Sequence, residues 1–267
     1  MILWMKYKVI YFAVSFVLLS VGVFSLFNWG LKLGIDFTGG VVAEYRLPNG
    51  ETKLEKFGTK SEEEIIKIRE DIKSQSGTEL RFEVVGPSIG PELIKKTFYA
   101  LGISAFLILL WVAVQFKNIK FGVSAILAMI HDSLILLGSF SLLGHFANVE
   151  IDFLFVTAVL TILSFSVHDT IVVYDRIREK QRKYDPSFGS DIEKIANSAL
   201  TETMVRSLNN SFTIIFMLLA LILMGGESIR WFAVALLIGT ISGTYSSPFV
   251  AVPILVTWEK LQNKFKK

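Results

Sequence analysis

Residues 153–174 read FLFVTAVLTILSFSVHDTIVVY, a run of spanning length whose one acidic residue is Asp169. A bilayer core about 30 Å thick is crossed by about 20 mostly apolar residues in a helix, so the run reads as a transmembrane span. Outward from it the pattern repeats. Residues 9–31, 97–116, 207–226 and 231–258 are uncharged runs of the same kind, and residues 121–143 form another in which the one acid is Asp132. Six spans follow. The first is longer than a typical signal core and no Ala-x-Ala-like site follows it, so it is expected to be retained.

The composition, 52% hydrophobic with only 19% charged, is that of a membrane protein. Without cysteine there is no disulfide framework and no thiolate zinc site, and three scattered histidines lack metal-ligand spacing. No metal, cofactor or catalytic centre is expected. The formal charge of +3 sits beside the apolar runs, which marks topology and not a nucleic-acid footprint.

Lys and Arg in short loops favour the cytoplasm. One side carries Lys6, Lys8, Lys117, Lys120, the segment 176–206, and Lys260, Lys264, Lys266 and Lys267. The other is nearly bare, with no Lys or Arg in 144–152 and only Arg230 in 225–230. Both termini are therefore expected in the cytoplasm, with residues 32–96 outside. The expected units are 1–31 (N-terminus and first span), 32–96 (external domain) and 97–267 (spans two to six, cytoplasmic segment 175–206 and tail).

In the insert, Val41-Val42-Ala43-Glu44-Tyr45-Arg46 alternates as a half-buried strand does. Ser61 with Glu64 forms a capping box, and Ile65, Ile68 and Ile72 predict a helix that Gly77 stops. A second strand is expected at 79–85, ended by Gly86-Pro87. The result is a small α+β domain of ferredoxin-like kind, near the lower size for an independent core, that needs a partner surface or the membrane face. On the cytoplasmic side, Pro186-Ser187-Phe188-Gly189 predicts a turn and Ser190 with Glu193 a capping box. Ile192, Ile195, Ala196 and Ala199 then form an apolar stripe, expected as a helix lying along the inner surface.

A carboxylate in a spanning helix costs about 2.5–3.5 kcal/mol on insertion scales and usually faces protein or water. Asp132 and Asp169 are such residues. Asp169 lies five residues before the end of its span, and Arg206 opens span five from the same side, so the two can pair. The pair reads either as a switch that loses its attraction when Asp169 is protonated, or as a structural ion pair. Asp132 beside His131 lies nearer mid-membrane, where it either relays protons or caps a packed polar cluster. Thr157, Thr161, Ser164 and His168 make a polar stripe on span four, read as helix contact or a water file. Gly239, Gly243 and Ser247 repeat as small-xxx-small and read as packing. Two buried aspartates also raise an intramembrane aspartyl protease, but the Gly-x-Gly-Asp element of that class is absent.

Three segments resemble the SecF family of the bacterial Sec export machinery: Gly34-Ile35-Asp36-Phe37-Thr38-Gly39-Gly40, the run from Ser166 to Glu179, and the run from Gly239 to Pro248. The resemblance implies a member of the resistance-nodulation-division superfamily acting beside SecD. In that role it would use the proton-motive force in late steps of export, after the SecYEG channel and SecA motor engage a preprotein; a small-molecule exporter of the same superfamily is the alternative. It places the family's span-four aspartate on Asp169 and its essential arginine on Arg206. His168 departs from the family's usual Asn. Asp36, Gly39 and Gly40 are then expected to handle substrate or to form a structural turn, and Asp175, Arg176 and Arg178 to form a cytoplasmic motif.

Overall fold

A computed structural model describes residues 2–74, 78–86, 89–116, 118–182 and 191–265. Among the described residues, six helices are long and apolar enough to cross a membrane: Trp4–Asn28, Gly90–Phe116, Ile119–Ala147, Phe153–Arg182, Ile192–Met224 and Glu227–Gln262. In chain order the elements are α1 (Lys8–Asn28), α2 (Ile35–Thr38), β1 (Gly40–Arg46), β2 (Thr52–Phe57), α3 (Glu62–Ser74) and β3 (Thr78–Val85). They continue with α4 (Ile89–Phe116), α5 (Ile119–Ala147), α6 (Phe153–Arg182), α7 (Ile192–Met224), α8 (Glu227–Ser246), a π-helical turn (Ser247–Ala251) and α9 (Val252–Phe265).

Polar caps set the helix ends between the apolar runs. Asn118 accepts from the Lys120 N–H at the start of α5, and Asn148 closes its end in a left-handed conformation with φ 59°. The tightest helix contacts use the small residues. A Cβ on Gly239 of α8 would stand 2.1 Å from the Ile162 side chain of α6, and one on Gly138 of α5 would stand 2.4 Å from the Gly22 backbone of α1. Backbones approach here because no side chain separates them. Ser247, grouped with those glycines as packing, also hydrogen-bonds across helices, as described below.

The α+β domain has a three-stranded antiparallel sheet in the order β2-β1-β3. It holds three of the four strands of a complete ferredoxin-like β-α-β-β-α-β unit. Tyr45, Ala43 and Ile72 form its small core, with Ile68 and Phe82 packed on it. The capping box forms, with Glu64 accepting from the Ser61 N–H at 3.0 Å. Strand β1, expected half-buried, is buried at every residue from 40 to 45 because it is the central strand, and β2 lacks its apolar content. Strand β2 is a charged edge strand, and such a strand needs backbone pairing on one side only.

Segment 175–206 departs from its expected form. Helix α6 continues to Arg182 and α7 starts at Ile192 and runs unbroken to Met224, so the stripe at 192–199 is the first part of span five and not a separate surface helix. Ile192, Ile195, Ala196 and Ala199 are buried by protein. The N-terminal turn holds the other side of α7: the Met5 N–H donates to Asn197 Oδ1 at 2.9 Å, and Trp4 Nε1 donates to Thr201 Oγ1 at 3.1 Å. Lys8 and Lys260 both pair with Glu193, so both termini meet at one end of the bundle. Asp191 caps α7 through the Glu193 N–H. The expected turn at 186–189, the Ser190 box, Gly77 and Pro87 lie outside the described residues.

Candidate functional site

A seam of hydroxyls runs through the bundle where α5, α6 and α8 meet. Ser166, Thr170 and Tyr174 recur at intervals of four on α6, which puts them on one face. Facing them, Pro248 has no N–H to continue the α-helical ladder, and the chain widens into the π turn Ser247–Ala251. The Tyr174 hydroxyl lies 2.6 Å from Ser124 Oγ and 3.1 Å from the Ala251 carbonyl, and Thr170 Oγ1 lies 2.9 Å from Ser247 Oγ.

Asp132 is the hub of this seam. It is 1% exposed and accepts hydroxyls from Ser166 on α6 at 2.5 Å and from Ser242 and Ser246 on α8, both at 2.6 Å. His131 Nδ1 stands 3.1 Å from Oδ1 of the same carboxylate. Four groups from three helices therefore converge on one buried side chain.

Asp169 lies on the neighbouring face of α6, against α7. It is 6% exposed, and Ser207 Oγ stands 2.7 and 2.6 Å from its two oxygens. The anticipated ion pair with Arg206 is absent among the described residues. Successive residues on a helix diverge by about 100°, so with Ser207 facing Asp169, Arg206 turns outward. Arg206 instead lines an open groove of about 440 Å³ with Asp175, Arg176, Glu179 and Glu202. Arg176 pairs with Glu202 and Glu179, while Arg178 donates to the Gln115 carbonyl at 3.0 Å, so the Asp175-Arg176-Arg178 motif ties α6 to α7 and α4.

Asp132 and Asp169 have separate partners and form no carboxylate dyad, which removes the geometric basis of the protease alternative. His168 also lies apart from the seam. It is exposed on the outer face of α6 with Thr157, Thr161 and Ser164, beside Leu107, Ile108 and Trp111 of α4. The polar stripe thus faces out of this bundle, with Ser164 and His168 lining an open groove beside α4.

At the opposite end, Gly34 to Gly40 form a compact turn. Gly39 and Gly40 adopt φ of 77° and 146°, which only glycine takes without strain. Asp36 Oδ2 accepts from the Phe153 N–H at 2.8 Å and caps α6, while the Gly34 N–H donates to the Ile151 carbonyl at 2.8 Å. The motif is therefore the joint between the α+β domain and the helix that carries Asp169. Lys56 and Lys32 reach Glu150 across it.

Asp152 sits in this joint, accepting from the Phe155 N–H at 2.8 Å. Burial pushes its carboxyl above the usual aspartate range; the Phe155 bond opposes this, and the nearby Asp36 carboxylate adds to the rise. The docked form thus holds the proton more tightly than the undocked form. Docking should be firmest at low pH and weaken as pH climbs from the ordinary aspartate range through the raised one. Asp152→Asn should flatten that dependence, as read by spin-label distances between the β1–β2 turn and Ser228 over a pH series. An unchanged pH profile in the variant would exclude Asp152 as its source.

Comparison with known proteins fits this layout. The family model described as protein export membrane protein SecD/SecF, C-terminal, matches residues 64–261, and the SecD/SecF GG motif matches residues 24–47. The chain belongs to the SecD/SecF family. It is 38% identical to protein translocase subunit SecF of Thermobaculum terrenum, over 95% of this chain and 93% of that protein. Among solved structures it is similar to SecDF from Thermus thermophilus, with a TM-score of 0.85 and 32% identity over 96% of this chain. A super-membrane-facing form of SecDF gives 0.76 at 30% identity over 98%. The chain spans about two-fifths of those SecDF chains, at 38% and 39%. As a SecF-type member of this family it is a multi-pass inner-membrane protein of Sec-associated protein export.

Reading the sequence picked out both aspartates and the glycine turn but missed the hydroxyls. Ser166, Ser242 and Ser246 look in sequence like any small residues in packed membrane helices. Their one signal was spacing, with Ser166 and Thr170, and Ser242 and Ser246, each four apart.

Proposed function

We propose that the chain works with SecD to couple the proton-motive force to late steps of preprotein export, with Asp169 as the coupling carboxylate. The observation that carries this reading is a buried spanning-helix carboxylate held by Ser207, one residue from an arginine that faces an open groove. Protonation removes the charge that Ser207 solvates. Loss of the proton favours Arg206 turning inward from the groove. These are two discrete arrangements of α6 against α7, and one charge moved through 100 mV biases them by about 2.3 kcal/mol.

Helix α6 supplies the transmission. From Phe153 to Asp169 it rises about 24 Å at 1.5 Å per residue, and its far end is capped by Asp36 of the domain joint. A tilt of α6 would therefore carry the α+β domain between substrate-capturing and releasing positions. The charge distribution supports an orientation with the termini and the Arg206 groove in the cytoplasm and the domain outside. The outward stripe of Thr157, Thr161, Ser164 and His168 is polar surface at membrane depth, and it suits the helices of SecD better than lipid. SecYEG and a SecA-driven preprotein are the partners this role requires.

The test is preprotein translocation into inverted or reconstituted vesicles with and without a proton gradient. Asp169→Asn and Arg206→Met should each reduce gradient stimulation at least tenfold while leaving gradient-free translocation by SecA in place. Unchanged stimulation in both variants would falsify the reading. The His168 ring is on the outer face but interacts with Asp169 through charge, so His168→Asn should alter the pH dependence of gradient-stimulated export, and an identical profile would show that the departure from the family's Asn is inconsequential.

A further inference from the structure

The Asp132 network leaves buried polar atoms unaccounted for. Among the described residues, Ser15 Oγ on α1 and His131 Nε2 on α5 are enclosed and have no hydrogen-bond partner. The residues are 5% and 4% exposed. They also occupy matching positions. Helices α1 and α5 run side by side in a constant offset of 116 residues, seen in the 2.7 Å bond from Ser25 to Ser141. The contact of Gly22 with Gly138 and the stacking of Trp29 on His145 keep the same offset. Ser15 and His131 share it, two helical turns below the glycine contact and on the same face.

A third helix closes the position. The Tyr245 ring of α8 stacks 6.4 Å from His131, and its hydroxyl donates at 2.8 Å to the Tyr11 carbonyl, one turn from Ser15. Asp132 on α5, Tyr245 on α8 and Tyr11 on α1 are the titratable groups around the imidazole; no lysine, arginine or glutamate pairs with it among the described residues. With its proton on Nδ1, the ring donates to Asp132 and leaves Nε2 as an acceptor. Ser15 offers both a donor and an acceptor beyond direct reach. A group that donates to Nε2 and accepts from Ser15 satisfies both, and water is the smallest that does so.

We propose that Ser15 and His131 bind a water molecule between α1 and α5, and that this water passes protons to Asp132 through the imidazole. A proton arriving on the water moves to Nε2 as the Nδ1 proton moves to Asp132 Oδ1, so one proton enters the ring and one leaves. Helix α1 then belongs to the proton path and is not merely packing. The relay rests on the proton coupling proposed above; the water site does not.

Infrared difference spectra of the full chain with SecD in liposomes, exchanged into H2(18)O, separate the two. A weakly bonded water stretch that shifts with the isotope is expected in the wild type and in Ser15→Thr, and should vanish in Ser15→Val. Ser15→Val should also cut gradient-stimulated export at least fivefold, with Ser15→Thr near wild type. A band unaffected by Ser15→Val overturns the site. Loss of the band with export unaltered overturns the relay. A wild type that shows the band but no gradient stimulation overturns proton coupling and leaves the water standing.

Discussion

Asp132→Ala should lower the unfolding temperature of the detergent-solubilised chain by roughly 5–10 °C and abolish gradient-stimulated export, whereas Asp132→Asn should lose the export and keep most of the stability. Alanine removes the acceptor shared by Ser166, Ser242, Ser246 and His131 at once. Interhelical hydrogen bonds in membranes average about 0.6 kcal/mol, so four amount to about 2–3 kcal/mol, and for a chain of this size 1 kcal/mol moves the midpoint by about 2–4 °C. The penalty stays moderate because a released serine can turn back to the carbonyl four residues earlier in its own helix. Asparagine still accepts with one oxygen and fills the same space, but it cannot take up a proton. If Asp132→Asn exports like the wild type, Asp132 is a structural hub alone. If Asp132→Ala melts like the wild type, the seam does not hold the bundle.

The second large effect is expected at the domain joint. A Cβ on Gly90 would lie 2.1 Å from the Phe37 carbonyl oxygen, and one on Gly40 would lie 2.4 Å from that of Phe57. Both obstacles are backbone, which cannot swing aside. Gly90→Ala should therefore force α2 off the first turn of α4, and Gly40→Ala should open the start of β1. Overpacking costs reach about 3 kcal/mol. That exceeds what the few hydrogen bonds of the joint can oppose, so the domain should undock before the bundle loosens. Hydrogen exchange should rise across residues 34–46 and at Ile151 and Phe153, while α5 and α8 stay protected, and export should fall with it. Gly58→Ala is the control, since nothing stands within 4 Å of its added Cβ. Equal exchange in Gly58→Ala and Gly90→Ala would show that the close approach does not hold the joint.

The six spans were legible because a bilayer tests each helix by its own length and polarity, without reference to neighbours. Asp132 and Asp169 were legible for the same reason, as charges out of place. Strand β1 announced itself by its β-branched and aromatic residues, although residues 40–45 proved buried throughout and not on one face alone. Strand β2 did not, since one face of its backbone and its charged side chains meet solvent. The stripe at 192–199 was read as a helix lying along the inner surface; that it begins span five and is buried among other helices follows from packing partners distant in sequence.

What the sequence by itself determined is the six membrane spans, the small α+β domain and the two intramembrane carboxylates, because each follows from local periodicity or from the cost of a charge in hydrocarbon. What only the tertiary structure decided is who holds those carboxylates. Ser207 stands at Asp169 where Arg206 was expected, and three serines with His131 gather on Asp132. A hydroxyl on a membrane helix can bond to its own backbone or across to a neighbour, and sequence looks the same in both cases. The choice is made by where α5, α6 and α8 cross, which the glycine contacts and the π turn at Pro248 set.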